Sequence, residues 1–482
     1  MNNQKNLDLN ELEALLRRDF EMTQYPSASW VPERRTRAGA PVLDVLIIGG
    51  GQSGLGIAFG LMREKVDRVL VIDQRERNQE GPWLTTARMI TLRTPKNLTG
   101  LDYGIPNLTF QAWYETQIGR KAWQEINLIP KEAWAEYLQW YRDFLGIPVR
   151  SQTRAGAIDF LPNENCFRIP IHEVGKSDET LYARKIVLAT GLDGAGLWEV
   201  PLVVRESLPP ERYAHTDDQI DFNALRGKRI AILGCGASAF DNGLTALNHG
   251  ALEARMFIRR PEFPCFDVYQ WANFSGFLNH HGNLPDAARY QFLYQMKRKA
   301  MGGQPPVDTY QRALRRDNFF IHCGCPLESI GMKNDEISIM TPKGVFKSDF
   351  VIAGTGVSID LKKRPELTNV EPFIARWSDR FHPQPEDADA SLLSYPYLGE
   401  SFEFIEKQKG QAPYLGSIFN FNYGSLLSLG FGTAGISGIK YSLPKVVAGI
   451  TSQIYRDDAD FHLQSLIDYN TSAYGPLMDF SA

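Results

Sequence analysis

Residues 44–60, DVLIIGGGQSGLGIAFG, decide how the rest of the chain is read. Asp44 to Ile48 form a short, largely apolar run suited to a strand buried in a parallel sheet. Gly49, Gly51 and Gly54 then give G-x-G-x-x-G, and Leu55 to Leu61 continue with helical character. The first glycine permits a tight turn and the second lets a pyrophosphate approach the backbone. The third permits close helix–strand packing, and free amides at the helix N-terminus stabilise the anion. A second apolar run, Val69 to Ile72, ends in Asp73, 19 positions after Gly54. A carboxylate near that spacing accepts hydrogen bonds from the ribose of an adenine dinucleotide. Gly49, Gly50, Gly51, Gln52, Ser53, Gly54, Asp73 and Gln74 are therefore expected to bind FAD. The bland alternative is a glycine-rich turn beside a solvated aspartate.

The pattern returns in GKRIAILGCGASAFD, residues 227–241. Ile230 to Leu233 read as a strand, and Gly234, Gly236, Ser238 and Ala239 as the turn, with alanine replacing the third glycine. The next strand, ARMFIRR, ends in Arg259 and Arg260, and Arg260 lies 21 positions after Ala239. An acid there would repel a 2'-phosphate, whereas guanidinium groups bind it in bidentate fashion. The second turn is thus expected to bind NADPH, the alternative being two solvated arginines. Two dinucleotide sites in one chain imply electron transfer from nicotinamide to flavin.

Composition narrows the rest. At 482 residues the chain has room for two or three domains. A net charge of -4 gives no basic surplus for nucleic acid or anionic membrane. No apolar run reaches the roughly 20 residues needed to cross a bilayer, and the N-terminus lacks the pattern of a secretory signal. A cytoplasmic protein is expected, opening on an amphipathic helix with Leu9, Leu12, Leu15 and Leu16 on one side. The five cysteines are scattered, with neither Cys-x-x-Cys nor Cys-x4-Cys, so no redox dithiol is available. His280 and His281 are adjacent and point to different faces of a helix or strand, so no metal site is expected. There is no G-x-S-x-G nucleophile motif.

Between the turns, Lys185 to Leu188 run into Ala189-Thr190-Gly191, and a related exit returns at Ala353-Gly354-Thr355-Gly356. Such exits suit chain crossings. The expected fold is α/β, with two doubly wound Rossmann-like domains, the NADPH domain (205–340) inserted in a discontinuous FAD domain (41–204 and 341–482). Residues 1–40 are expected to form a helical extension. GFGTAGISG, from residue 430, reads as a glycine-rich turn opening a helix near Gly438. Trp134, Leu138, Tyr141 and Leu145 recur at helical spacing and read as core.

Taken together, these residues resemble the class B flavoprotein monooxygenases and their N-hydroxylase relatives, over roughly residues 41–450. The resemblance rests on the order of the two turns, on Ala189-Thr190-Gly191, and on RYAHTDDQIDFNALRGKRIAILGCGASAFD. In that last stretch His215, Gly227, Lys228, Arg229, Ser238, Ala239 and Asp241 match the family linker. Gly81-Pro82-Trp83 resembles the family's Gly-Gly-Thr-Trp segment near the flavin. Glu211 and Tyr213 stand where the Baeyer–Villiger fingerprint has phenylalanine and glycine, which argues against ketone oxygenation. The wider pattern, including LRTPKNLTG, is closer to the bacterial urate hydroxylases and amino-acid N-hydroxylases.

The resemblance implies an NADPH-using enzyme that oxygenates a small polar nitrogen compound through a C4a-(hydro)peroxyflavin. Purine, amino acid, amine and thioether substrates stay open, as does a homo-oligomer. It further implies that Trp83 and Gly191 lie near the flavin and that His215 gates movement between domains. Lys96 is a candidate for holding a substrate oxygen, against the alternative of a solvated loop lysine. Partners are a small molecule and dioxygen. The rival readings are a flavin oxidase, an NADPH–flavin electron-transfer reductase, and a non-enzymatic dinucleotide sensor.

Overall fold

The computed structural model describes residues 8–300, 304–433 and 435–471. The first quoted run lies in β1 (Pro41–Ile48), which is buried from Asp44 onward and occupies the middle of a nine-stranded sheet. On one side lie β2 (Val69–Ile72) and β3 (Val149–Arg150), both parallel to their neighbours. On the other side β4 (Cys166–Glu173) returns antiparallel on β5 (Glu179–Leu188), and β5 is parallel to β1. Ile418–Phe419 adds a parallel strand along β5, so residues far apart in sequence complete one sheet.

The second sheet has five parallel strands: β6 (Tyr213–His215), β7 (Arg229–Leu233), β8 (Glu253–Phe257), β9 (Phe319–His322) and β10 (Phe350–Ala353). Their order is β6-β10-β7-β8-β9. The return crossing, expected at 340, follows Ala353, because β10 inserts between β6 and β7. The two crossings meet in a ribbon of their own, Gly196–Trp198 paired with Val357–Ile359. Among the described residues, 262–318 contain four α-helices, one short 3-10 helix and no strand, as their aromatic, non-alternating pattern suggests.

Among the helices, α1 (Leu9–Met22) buries Leu12 and Leu16, but Leu15 is exposed. At 100° per residue Leu12 and Leu16 lie on one stripe with Leu9, while Leu15 is rotated well off it. The helices α2 (Gln52–Arg63) and α3 (Lys131–Leu145) join the core, and α3 buries Trp134, Leu138 and Tyr141 as the spacing predicts. The second turn opens α4 (Ala237–Asn248). After Gly435, α5 (Ile436–Asp457) runs along the first unit and is followed by α6 (Ala459–Ile467).

A buried ionic cluster ties these ends together. Arg184 on β5 bonds Asp458 at 2.7 Å, Arg34 reaches the same carboxylate at 2.5 Å, and Lys185 pairs with Asp457 at 2.9 Å. Burial pushes the Lys185 ammonium down and the Asp44 carboxyl up, with Arg68 opposing the latter from 3.1 Å.

Candidate functional site

β1 ends in Gly49, held at φ +112°, where a Cβ would lie 2.3 Å from the Ala189 carbonyl oxygen. A Cβ on Gly54 would lie 1.9 Å from the Gly49 oxygen, so α2 starts directly against the strand. Gly51 is the N-cap and supplies no side-chain cap, which leaves the first-turn amides for another acceptor. Asp73, at the end of β2, is fixed: its carboxylate accepts the Gly50 N–H at 2.7 Å and the Arg75 N–H at 2.8 Å. Gln52 accepts the Trp134 indole N–H at 3.2 Å, Ser53 is half-buried, and Gln74 is exposed. Trp83 lies beside the same turn, lining a small cleft with Gly50, Glu80 and Arg142. Its indole N–H is buried with no partner among the described residues. An uncapped helix start, a backbone too close for side chains and an unpartnered donor are what an adenine dinucleotide would fill.

The second turn repeats the construction. Gly234 has φ +111°, and a Cβ on it would lie 2.3 Å from the Gly354 oxygen. Gly236 caps α4, again without a side-chain bond. The alanine at 239 now has a reason: a Cβ on the facing Gly354 would come within 2.6 Å of the Ala239 Cβ. The methyl of Ala239 occupies space that Gly354 leaves open. Burial pushes the Cys235 thiol up, against the pull of the Arg260 and Arg259 guanidinium groups. Neither has a carboxylate partner among the described residues, a setting that fits a phosphate monoester.

The exits after the two central strands are built alike. Ala189 N–H donates to Ile48 O and Gly354 N–H to Leu233 O, both at 2.8 Å, and Gly191 and Gly356 follow at φ +81° and +78°. On the first exit, Gly191 O accepts the Tyr423 N–H at 3.1 Å, and the Asn422 amide donates to Thr190 Oγ1 at 3.2 Å. The loop ahead of α5 is thereby fixed to the Ala-Thr-Gly turn.

Sequence reasoning missed what lies between the units. Arg93, on the strand Thr91–Pro95 of the first unit, pairs at 3.0 Å with Asp241 on α4 of the second. Burial pushes the Asp241 carboxyl up, while Arg93 and Arg312 oppose. Tyr269 packs at a tilt against Phe431 with centroids 5.0 Å apart, and Tyr395 lies beside Tyr423 at 6.3 Å. Only Asp241 carried a signal, through the linker pattern; the others come from five segments that no local spacing connects.

His215 ends β6 and is 2 % exposed. Its Nδ1 accepts the Asp217 N–H at 3.1 Å, so the proton resides on Nε2, which is buried with no partner among the described residues. Burial pushes its pKa down. The ring lies 5.2 Å from Trp198, on the ribbon joining the units. Lys96 is not aimed at the cleft: its ammonium donates to Trp123 O at 2.5 Å and sits 4.6 Å from the Trp123 ring. His280 is exposed and His281 buried. Among the described residues no cluster has metal-ligand geometry and no helix is long and apolar enough to cross a membrane. All five cysteines are free.

A family model described as FAD-NAD(P)-binding matches residues 46–193. Over 469 residues, 97 % of this chain and 98 % of the other, the sequence is 39 % identical to the FAD-dependent urate hydroxylase of Xanthomonas campestris pv. campestris. The chain belongs to the class B-like flavoprotein monooxygenases.

For this monooxygenase the fold comparison agrees. Ornithine hydroxylase of Pseudomonas aeruginosa superposes with TM-score 0.66 at 15 % identity, covering 86 % of this chain and 100 % of that one. The cadaverine monooxygenase of Erwinia amylovora, solved with FAD, gives TM-score 0.63 at 16 % identity, covering 85 % and 95 %. The expected fold class is thus borne out, and the flavoprotein monooxygenase is an oxidoreductase with FAD and NAD(P) as its nucleotide cofactors.

Proposed function

We propose that this flavoprotein monooxygenase uses NADPH and dioxygen to hydroxylate a small, polar, nitrogen-containing ring compound of the urate type. The observation that carries this reading is the 39 % identity to a urate hydroxylase, spread over 97 % of the chain. Bound flavin supplies the activation of dioxygen, with electrons from the nicotinamide.

The chain's own residues bind, orient and exclude water. Gly49 to Gly54 and the start of α2 hold the FAD pyrophosphate, and Asp73, already fixed by two amides, orients the ribose. Gln52, Ser53 and Gln74 flank that site, Trp83 closes its cleft, and Gly191 lets the backbone approach the flavin. Gly234, Gly236, Ser238 and Ala239 hold the second pyrophosphate. Arg259 and Arg260 select the 2'-phosphate of NADPH, a charge-assisted contact worth about 1.5–3 kcal/mol. His215 touches the ribbon through Trp198, which suits a role in the relative movement of the units. A neutral imidazole there avoids a buried charge during that movement.

The test uses FAD-loaded enzyme with NADPH or NADH and a panel of urate, xanthine, ornithine, lysine and cadaverine. NADPH oxidation and oxygen uptake are expected to rise with urate, in step with hydroxylated product and with little peroxide. NADPH consumption that ignores every compound and ends wholly in peroxide would replace this reading with an oxidase.

A further inference from the structure

We propose that this chain forms a two-fold dimer in which α6 of each copy lies in a groove between α2 and α5 of the other. None of the α6 residues is buried among the described residues. Leu463, Leu466 and Ile467, at i, i+3 and i+4, form one apolar stripe, and they are 57 %, 70 % and 66 % exposed. With nine residues, α6 is shorter than the roughly 12–15 at which isolated helices persist in water, so its stability must come from contacts. Its start is anchored, since the carbonyl of Asp458, whose carboxylate is held by Arg184 and Arg34, accepts the His462 N–H at 3.1 Å. The stripe beyond that anchor faces water.

The groove begins where α6 does. Tyr455, near the end of α5, stacks on His462 with centroids 4.9 Å apart and lies 6.0 Å from Trp30. Tyr25, Trp30, Arg63, Glu64, Val447 and Ala448 line a groove of about 520 Å³ that Tyr455 borders. Trp30 is fixed in its wall, because its indole N–H donates to Glu64 O at 2.7 Å. Arg63 lies over the Tyr25 ring at 4.4 Å and has no ion-pair partner among the described residues. The groove is remote from the flavin: Arg63 ends the 12-residue α2, about 18 Å from the Gly51 turn.

Charge and area select a second copy as the occupant. The helix α6 carries Asp460, is followed by Asp468 and has no Lys or Arg, which suits Arg63. The same composition argues against an anionic membrane surface, which takes helices with a basic face. One copy thus presents both an acidic helix with an apolar stripe and an aromatic groove with an unpaired cation, the self-complementary patch that an isologous contact requires. Tyr455, Phe461 and Tyr469, each more than half exposed, extend the stripe. At about 150–250 Å² for a large side chain, these six leave roughly 550–900 Å² of side-chain surface in water. The middle of that range lies above the about 300–600 Å² of a typical monomer's largest patch and near the roughly 800 Å² that each partner gives a stable interface.

The experiment is sedimentation velocity of the full, FAD-loaded chain over a concentration series, on wild type, Leu466→Glu, Ala448→Arg and an equimolar mixture of the two variants. Both positions are exposed, so the variants should fold, with FAD content and melting temperature as controls. Ala448→Arg blocks the groove, and Leu466→Glu puts a charge in the stripe. Wild type is expected to be a dimer, and each variant should raise the dimer Kd by about 30-fold or more, the loss of one interface anchor. The mixture should recover part of the association, because one undamaged helix then meets one undamaged groove. A wild type that sediments as a monomer throughout, or a dimer that Leu466→Glu leaves intact, overturns the proposal. Dissociation of both variants without recovery in the mixture would set α6 against α6 and overturn the role of the groove. A monomeric wild type that loses thermal stability on removal of residues 472–482 would give this face to the chain's own end and overturn the dimer.

Discussion

Gly354→Ala tests the account of why the second turn ends in alanine. Gly354 does not have positive φ, so a methyl there meets only steric resistance. The new carbon would lie 2.6 Å from the Ala239 Cβ, 3.2 Å from its Cα and 3.3 Å from the Leu233 oxygen. Ordinary carbon contacts are about 3.5–4.0 Å, so α4 must withdraw from β10 by roughly 1 Å. Overpacking of that size costs about 1–3 kcal/mol. Ala239→Gly removes a methyl that is 1 % exposed and loosens the first turn of α4. It is expected to cost about 1–2 kcal/mol. The double variant Gly354→Ala/Ala239→Gly moves the methyl from one wall to the other. Its closest contact becomes the 3.2 Å approach to the residue 239 Cα. It should therefore recover about 1–2 kcal/mol relative to the sum of the singles. Melting temperature and urea midpoint of FAD-loaded enzyme report stability, and KM for NADPH reports the position of the α4 amides. A Gly354→Ala enzyme with wild-type melting and wild-type KM, or a double variant as damaged as the summed singles, would refute the reasoning.

Replacing Arg259 and Arg260 together by alanine is expected to raise KM for NADPH by about 10–100-fold while leaving KM for NADH within a factor of three, read by initial rates. Asp458→Asn leaves the buried Arg184 without its 2.7 Å partner and should cost about 3–5 kcal/mol, seen as a markedly lower melting temperature. Gly49→Ala places a carbon against the Ala189 oxygen at a left-handed φ and should yield protein that retains little FAD, measured by flavin absorbance after desalting. His281 is held down to about 4 from 6.5 by burial, with the Leu427 backbone opposing. Between those values the unfolded chain takes up a proton that the folded chain does not. The stability present above pH 6.5 is therefore lost as pH falls toward 4, by up to about 3 kcal/mol. His281→Asn should flatten that part of the stability curve in urea titrations at pH 4 to 7.

The sequence by itself determined both dinucleotide turns, the α/β class and the family, because each turn is local. Three glycines or their alanine variant, a strand before and a charge after are all set within about 30 residues. The aromatic face of α3 was legible for the same reason, since helical spacing places Trp134, Leu138 and Tyr141 on one side. The tertiary structure decided the rest. Only pairing of β10 between β6 and β7 shows that the second unit extends to Ala353, because parallel neighbours need not be sequence neighbours. The fate of Lys96 depended on Trp123, a ring 27 positions away that no motif links to it. The meeting of Arg93 with Asp241, 148 positions apart, and of Tyr269 with Phe431 exists only once both sheets are assembled. Loops from separate strands carry such groups, and their approach is set by long-range packing rather than by local spacing.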